Sequence, residues 1–492
     1  MPADRQGWTR LNFSSLTDEA RIALSTLGER AGDILSPTVR LGVTGLARAG
    51  KTVFITALVH NLVHGGRLPL FRAYSTGRIS DARLEPQPDD DVPRFDYEDH
   101  VRALVEERIW PDSTRRISEL RLTIAYDSAS FLRQRFGSGT LNLDIVDYPG
   151  EWLLDLPLLG KDFESWSREA LALAHDPSRA SAAERWLARL ATIDPAAPED
   201  DVVAKELAAL FTDYLRACRA DENALSTLPP GRFLMPGDLD GSPALTFCPL
   251  PGAPDATPAG SLARMMGRRF EAYKNVVVKP FFRDHFARLD RQIVLVDALQ
   301  ALNAGPAAVA DLGAALTEIL SCYRPGTTSW LGSLLTRRID RILIGATKAD
   351  HLHHADHDRL ERILASLLAP AIDRAASAGA RVAIAALASV RATKEGIVSH
   401  GGEKLPSIIG TPLPGERFAG ETYDGRTEIA FFPGDLPRDP ESVREVGRAA
   451  APLRFVRFRP PALERTAEGV TLSLPHIRLD RALEFLIGDR LA

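Results

Sequence analysis

The chain has 492 residues, with 60 Lys and Arg against 65 Asp and Glu, a formal charge of −5. An apolar fraction of 45% and a charged fraction of 25% exclude a collagen, a coiled-coil rod and a mostly disordered chain. The mild acidity argues against nucleic acid as a partner, and no run of about 18 uncharged apolar residues offers a membrane span. Cys218, Cys248 and Cys322 stand far apart with no CxxC spacing. They predict neither a zinc nor a redox site, and a reducing, cytoplasmic setting. Met1–Arg10 carries charges of both signs and does not read as a signal peptide.

In chain order, the periodicity predicts a helix over 14–36, ended by Pro37, then a strand Val39–Val43 and a helix Thr52–Val63. Residues 64–113 read as polar and irregular, with an acidic run at Asp89, Asp90 and Asp91. Ser118–Tyr126 and Thr140–Val146 predict two strands joined too closely for a crossover helix, hence an antiparallel pair. Residues 160–285 change character. Helices are expected at Ala182–Ile193, Val202–Ala217 and Leu262–Leu289, the last kinked or ended at Pro280, around a Pro/Gly-rich stretch Leu228–Gly260.

Strands at Gln292–Val296, Arg341–Ala346 and Arg381–Ala388 then alternate with helices at Ala308–Cys322 and Leu360–Ala378. Such alternation predicts a mostly parallel sheet with helices on both faces. Short strands are expected at Glu428–Phe432, Leu453–Phe458 and Val470–Leu474, and a last helix at Leu479–Leu486.

The strongest signal is Gly45-Leu46-Ala47-Arg48-Ala49-Gly50-Lys51-Thr52, a full G-x-x-x-x-G-K-[ST] between an apolar strand and a helix. Its glycines let the backbone fold around a phosphate, and the amides through Val53 face it at a helix N-terminus. Lys51 would reach the β and γ phosphates and Thr52 would ligate Mg²⁺. A second signal ends the strand Leu141–Val146: Asp147-Tyr148-Pro149-Gly150 places a carboxylate for Mg²⁺ and a free amide at Gly150 for a γ-phosphate. The third is Thr347-Lys348-Ala349-Asp350 after the strand Arg341–Ala346. A carboxylate there accepts two guanine hydrogens that adenine does not offer, and the Lys348 stem packs along the base.

These three motifs resemble those of GTPases of the translation-factor and small-GTPase superclass. LGVTGLARAGKTVFITALVHNL, DYPGEW, FRDHFARLDRQIVLVDALQALNAG and TKADHLHH are together similar to the YcjX-like family of bacterial P-loop proteins. The resemblance covers most of the chain. It implies a Ras-like α/β core binding GTP/GDP with Mg²⁺, a stress-associated role and a membrane-protein partner. That partner admits peripheral contact at the inner membrane.

The same pattern asks for a switch I threonine before the first antiparallel strand. Thr114 fits and Thr76 is the alternative. It also asks for amides of Ser389 and Val390 at the base, and for a structural role for Asp297. The expected organisation is an N-terminal helix (1–37), a GTPase core in two parts (38–159 and 286–400), a helical insertion after DxxG (160–285) and a small α+β extension (401–492).

Two departures bear on mechanism. Where small GTPases often carry Gln after DxxG, this chain has Glu151. It is either a weak base for the attacking water or a carboxylate paired with an Arg. Arg48 lies inside the phosphate loop, as in GTPases that dimerise across their nucleotide faces with an internal arginine finger. The alternative is a solvated side chain. The cluster His351, His353, His354 and His357 reads as a helix cap beside the base pocket in preference to a metal site. Slow GTP hydrolysis is the expected activity, against a P-loop kinase or a nucleotide-bound scaffold that does not hydrolyse.

Overall fold

The computed structural model describes residues 37–46, 48–112, 114, 116–128, 139–220, 223–252, 254–322, 339–400, 403–418, 420–444, 453–463 and 473–492. The helix expected at 14–36, Ala47 of the phosphate loop and residues 470–472 of one expected strand lie outside the described residues.

The centre is a seven-stranded sheet of β1 (Thr38–Gly45), β2 (Ile79–Glu85), β3 (Ser118–Tyr126), β4 (Gly139–Asp147), β5 (Arg291–Val296), β6 (Arg341–Ala346) and β7 (Arg381–Ala386), in the order β2-β3-β4-β1-β5-β6-β7. The pairs β2–β3 and β3–β4 are antiparallel, and the pairings from β4 through β1, β5 and β6 to β7 are parallel. The strand β2 falls in the segment read from sequence as irregular. Its residues ISDARLE are mostly polar because it is an edge strand, so its outer face stays in water and the apolar alternation is weak. Central strands instead are buried along their length, and β5 is buried at every residue.

Register decides where the motifs meet. Val43 pairs with Asp147, Gly45 with Leu295, and Ala346 with both Val296 and Ala386. The phosphate loop, DxxG, Asp297, TKAD and the loop after β7 therefore emerge side by side at the C-terminal edge of the parallel strands, where open α/β sheets bind ligands.

Helix α1 (Lys51–Val63) packs on one face of the sheet and is buried at Thr52 and at every position from Phe54 to Leu62. Two short helices, α2 (Arg72–Ser75) and α3 (Tyr97–Arg102), lie in the following segment. On the other face, an unusually long 3₁₀ stretch, Gly150–Gly160, leads from DxxG into α4 (Phe163–Ala174), α5 (Ala180–Leu190), α6 (Asp201–Arg219), α7 (Gly231–Leu234), α8 (Leu262–Tyr273) and α9 (Lys279–Asp284). Trp166 stacks on Phe270 at 4.9 Å and Trp186 on Tyr214 at 5.3 Å. This aromatic core is continuous with the sheet through Val294 and Ile344. The long helix expected over Leu262–Leu289 is interrupted by a π-helical turn at Lys274–Val278 just before Pro280. The wider turn accommodates the ring and the missing N–H of proline.

Helices α10 (Ala298–Ala304), α11 (Pro306–Cys322) and α12 (His357–Ser377) complete that face. After β7 comes a small sheet of β8 (Lys394–His400), β9 (Glu403–Gly410) and, beyond a two-stranded hairpin of β10 (Arg417–Phe418) and β11 (Glu421–Thr422), β12 (Ile429–Phe431). Leu453–Phe458, expected as a strand, makes one isolated bridge from Phe458 to Pro412 and packs Val456 and Phe458 into the small sheet's core. The last helix, α13 (Leu479–Ile487), returns to the central sheet. Leu479, Leu483 and Leu486 join the α1 face, and the buried Arg291 of β5 donates to Leu486 O at 2.6 Å and Asp489 Oδ1 at 2.7 Å.

Candidate nucleotide site

A cavity of about 350 Å³ opens at this strand edge, lined by residues of the phosphate loop, Thr114, Thr347, Lys348, Asp350, Ser389 and Val390. Gly50 takes φ +79° as the N-cap of α1, with no side-chain cap and no acidic residue in the first turn. Helices α4, α6 and α8, by contrast, are capped by side chains, Asp162, Asp200 and Ser261. The first-turn amides of α1 are thus left for an anion, at the positive end of the helix dipole. Lys51, Thr52 and Val53 line the cavity beside them.

Two non-glycine residues on its rim adopt left-handed backbone, Arg48 at φ +61° and Lys348 at φ +60°. Such conformations cost on the order of 1 kcal/mol and cluster where a loop is shaped around a ligand.

Opposite the loop, Thr114 donates to Asp147 Oδ2 at 2.6 Å and lies 3.3 Å from the Thr52 hydroxyl. Asp147 is 1% exposed, and among the described residues its Oδ1 has no hydrogen-bond partner. Burial raises its pKa to about 6, against the opposing pull of Lys51 and the Thr114 hydroxyl. A buried carboxylate oxygen without a donor, flanked by two hydroxyls, is a donor set suited to a small hard cation such as Mg²⁺. Thr76 is elsewhere: it ends α2, donates to Arg72 O at 2.7 Å and does not line the cavity.

Gly150 is required by packing. A Cβ there would fall 1.7 Å from Gly45 O, so only glycine lets DxxG rest on the first glycine of the phosphate loop. Glu151, next in sequence, is turned away into the insertion, where it accepts from Arg219 of α6 at 3.0 Å. Trp152 is a packing anchor: its Nε1 donates to Met235 O at 2.9 Å and the Arg232 guanidinium lies 3.1 Å from its ring centre. Asp155 accepts from Gly231 N and from the Tyr273 hydroxyl, both at 2.7 Å. The segment after DxxG is therefore bolted to α6, α7 and α8.

At the base end, Asp350 is buried, and its Oδ2 accepts from Ala392 N at 2.9 Å. Lys348 pairs with Asp297, which also caps α10. Ser389 and Val390 follow β7 on the cavity wall. In the histidine cluster, His357 Nε2 bonds Ala349 O at 2.8 Å, and burial lowers the pKa of His351. His353 and His354 converge on Glu395, which the Arg391 guanidinium approaches at 3.2 Å. His353 Nδ1 also accepts from Ala355 N as an N-cap does.

The cavity also holds residues for which no motif gave warning: Trp110, Pro111, Asp112, His351, Leu413, Arg457 and Phe458. The last three come from the C-terminal module, more than 60 residues beyond TKAD in sequence. Of these, the segment Trp110–Thr114 carried a signal through its place before β3, and His351 through the histidine cluster expected beside the base pocket.

The strand order, the phosphate loop and the cavity at the switch edge define a Ras-like P-loop protein. The YcjX-like family matches residues 39–491, and the chain belongs to that family. It is 40% identical over 469 residues to the Ras-like GTPase YcjX of Escherichia coli strain K12, covering 92% of this chain and 96% of that protein. It is 33% identical over 501 residues to the Ras-like GTPase YcjX of Shewanella oneidensis strain MR-1, covering 96% and 99%. Among the described residues, no helix is long and apolar enough to cross a membrane.

Proposed function

We infer that this protein binds GTP and GDP with Mg²⁺ in the cavity at the switch edge and hydrolyses GTP slowly, as a nucleotide-dependent switch. The observation that carries the reading is convergence. Lys51 and Thr52, Thr114 and Asp350, from three distant stretches of chain, border one space, and Asp147, from a fourth, lies buried behind it in contact with Thr114. The α1 amides and Lys51 hold the phosphates, and Asp350 reads guanine. Thr52, Thr114 and Asp147 would hold Mg²⁺, which supplies charge neutralisation on the phosphate oxygens. Water attacks the γ-phosphorus in line, the bond to the β–γ bridging oxygen breaks, and GDP and phosphate leave. Lys51 and the loop amides stabilise charge developing on the bridging oxygen.

The pairing of Glu151 with Arg219 supports low intrinsic turnover, because it holds the residue after DxxG away from an attacking water. It equally favours a second reading, a nucleotide-bound scaffold without useful hydrolysis. The test is the nucleotide retained on purification, then phosphate release from GTP and ATP. Guanine nucleotide in the purified protein, and GTP turnover abolished in Lys51→Ala, are the expected results. Retention of adenine nucleotide would favour a kinase or ATPase. Arg48→Ala separates the internal finger from a solvated rim residue: a loss of about tenfold or more in turnover with GDP affinity kept marks the finger. Equal turnover rules it out.

A further inference from the structure

The C-terminal module does more than wall the cavity; it ties the two ends of the cavity together. Phe458 is 1% exposed and seated in the small sheet's core, on Gly410 of β9. The segment around it is fixed by backbone bonds on both sides, Leu413 N to Arg457 O at 2.7 Å and Arg459 N to Thr411 O at 2.8 Å. From this fixed position it makes two sets of contacts.

Toward the base end, the Phe458 ring meets His351, directly after the guanine-reading Asp350, edge-on at 5.7 Å. The module is also held there by Ala392 N on Asp350 Oδ2 and by the Thr393 hydroxyl on Asp350 O. Toward the phosphate end, Phe458 O accepts from Trp110 Nε1 at 2.6 Å, and Pro460 O accepts from Arg108 Nε at 3.0 Å. Trp110 and Arg108 stand just ahead of Thr114, whose hydroxyl meets Asp147. Leu413, Arg457 and Phe458 face the cavity between the two ends.

We propose that the segment Arg457–Pro460 is a strap that retains the bound nucleotide by clamping the switch I segment, through Trp110 and Arg108, to the base loop at His351 and Asp350. Trp110 is then a positioning residue. It touches no reacting atom by necessity, but it sets how readily the segment carrying Thr114 swings off the site. Release of nucleotide requires Trp110 and Arg108 to part from the strap, or the strap to part from the base loop. One element therefore gates both exits. The proposal rests on the guanine-nucleotide reading of this cavity.

The experiment is dissociation of a fluorescent GDP (the N-methylanthraniloyl derivative), chased by excess unlabelled GDP in the presence of Mg²⁺. The protein is the full chain as wild type, Trp110→Phe, Phe458→Leu, the double variant and Lys51→Ala. Trp110→Phe keeps an aromatic ring and removes only the N–H. Loss of one partly buried hydrogen bond predicts about tenfold faster release. Phe458→Leu acts on the same strap, so the double variant is expected to release no faster than about the quicker single one.

Additive effects of the two substitutions would mean separate local destabilisation and would overturn the strap, as would release from Trp110→Phe at the wild-type rate. Lys51→Ala tells this failure from the other. Wild type that binds the probe, with Lys51→Ala that does not, keeps the nucleotide reading whatever the strap variants do. Wild type that fails to bind it overturns both.

Discussion

Replacing Asp147 by Asn probes the proposed metal corner of the site without changing its shape. Burial holds this carboxyl near pKa 6, against an ordinary value of 3.8. The nucleotide-free fold therefore binds a proton here more tightly than the unfolded chain does. The stability this confers is fully present below about pH 4 and is lost as pH rises through about 6. The rise from 3.8 to about 6 makes the buried anion cost about 3 kcal/mol at neutral pH.

Asn cannot ionise, and it carries its own fixed cost of a buried amide, so the informative quantity is a double difference. Between about pH 4.5 and 7.5, the stability of Asp147→Asn relative to wild type should rise by about 2 kcal/mol. The assay is denaturant unfolding of both proteins, free of nucleotide and Mg²⁺, at the two pH values. Every other titrating group cancels in the comparison. A relative stability that does not change with pH would refute the argument that burial outweighs Lys51 and Thr114 at Asp147. Saturating Mg²⁺ and GDP at about pH 7.5 should stabilise the wild type more than Asp147→Asn, because only the carboxylate gains from the ion.

Two further substitutions test the remaining motifs. Asp350→Asn removes the carboxylate proposed to accept from guanine and should cut the preference for GDP over ADP by about 100-fold in a competition assay; an unchanged ratio would place base recognition elsewhere. Glu151→Gln weakens the pair with the partly exposed Arg219 and should cost about 1 kcal/mol in thermal unfolding, with GTP turnover within about threefold of wild type. A loss of turnover beyond about tenfold would show that the carboxylate leaves Arg219 and takes part in hydrolysis.

Much of the site is legible in the chain because its chemistry is local. The phosphate loop needs two glycines, a lysine and a threonine within eight consecutive residues, and Asp147 and Asp350 each follow an apolar strand that announces its own end. β6 reads clearly because a parallel strand buried on both faces is a nearly unbroken apolar run, and β4 reads by apolar residues alternating with Asn142 and Asp144. The edge strand β2 carried no such run. The hairpin β8–β9 was equally silent, since much of its length is exposed and polar.

What the amino-acid order determined by itself was the set of motifs on which the proposed ligand class rests: residue types at fixed short spacings, whatever lies between them. Only the tertiary structure decided that Thr114 and not Thr76 meets Asp147, that Glu151 turns to Arg219, and that Phe458 and Trp110 close one wall. Each of those contacts joins residues 33 to 348 positions apart. No local spacing can encode such a meeting. It is set by strand register and by which apolar surfaces exclude water together.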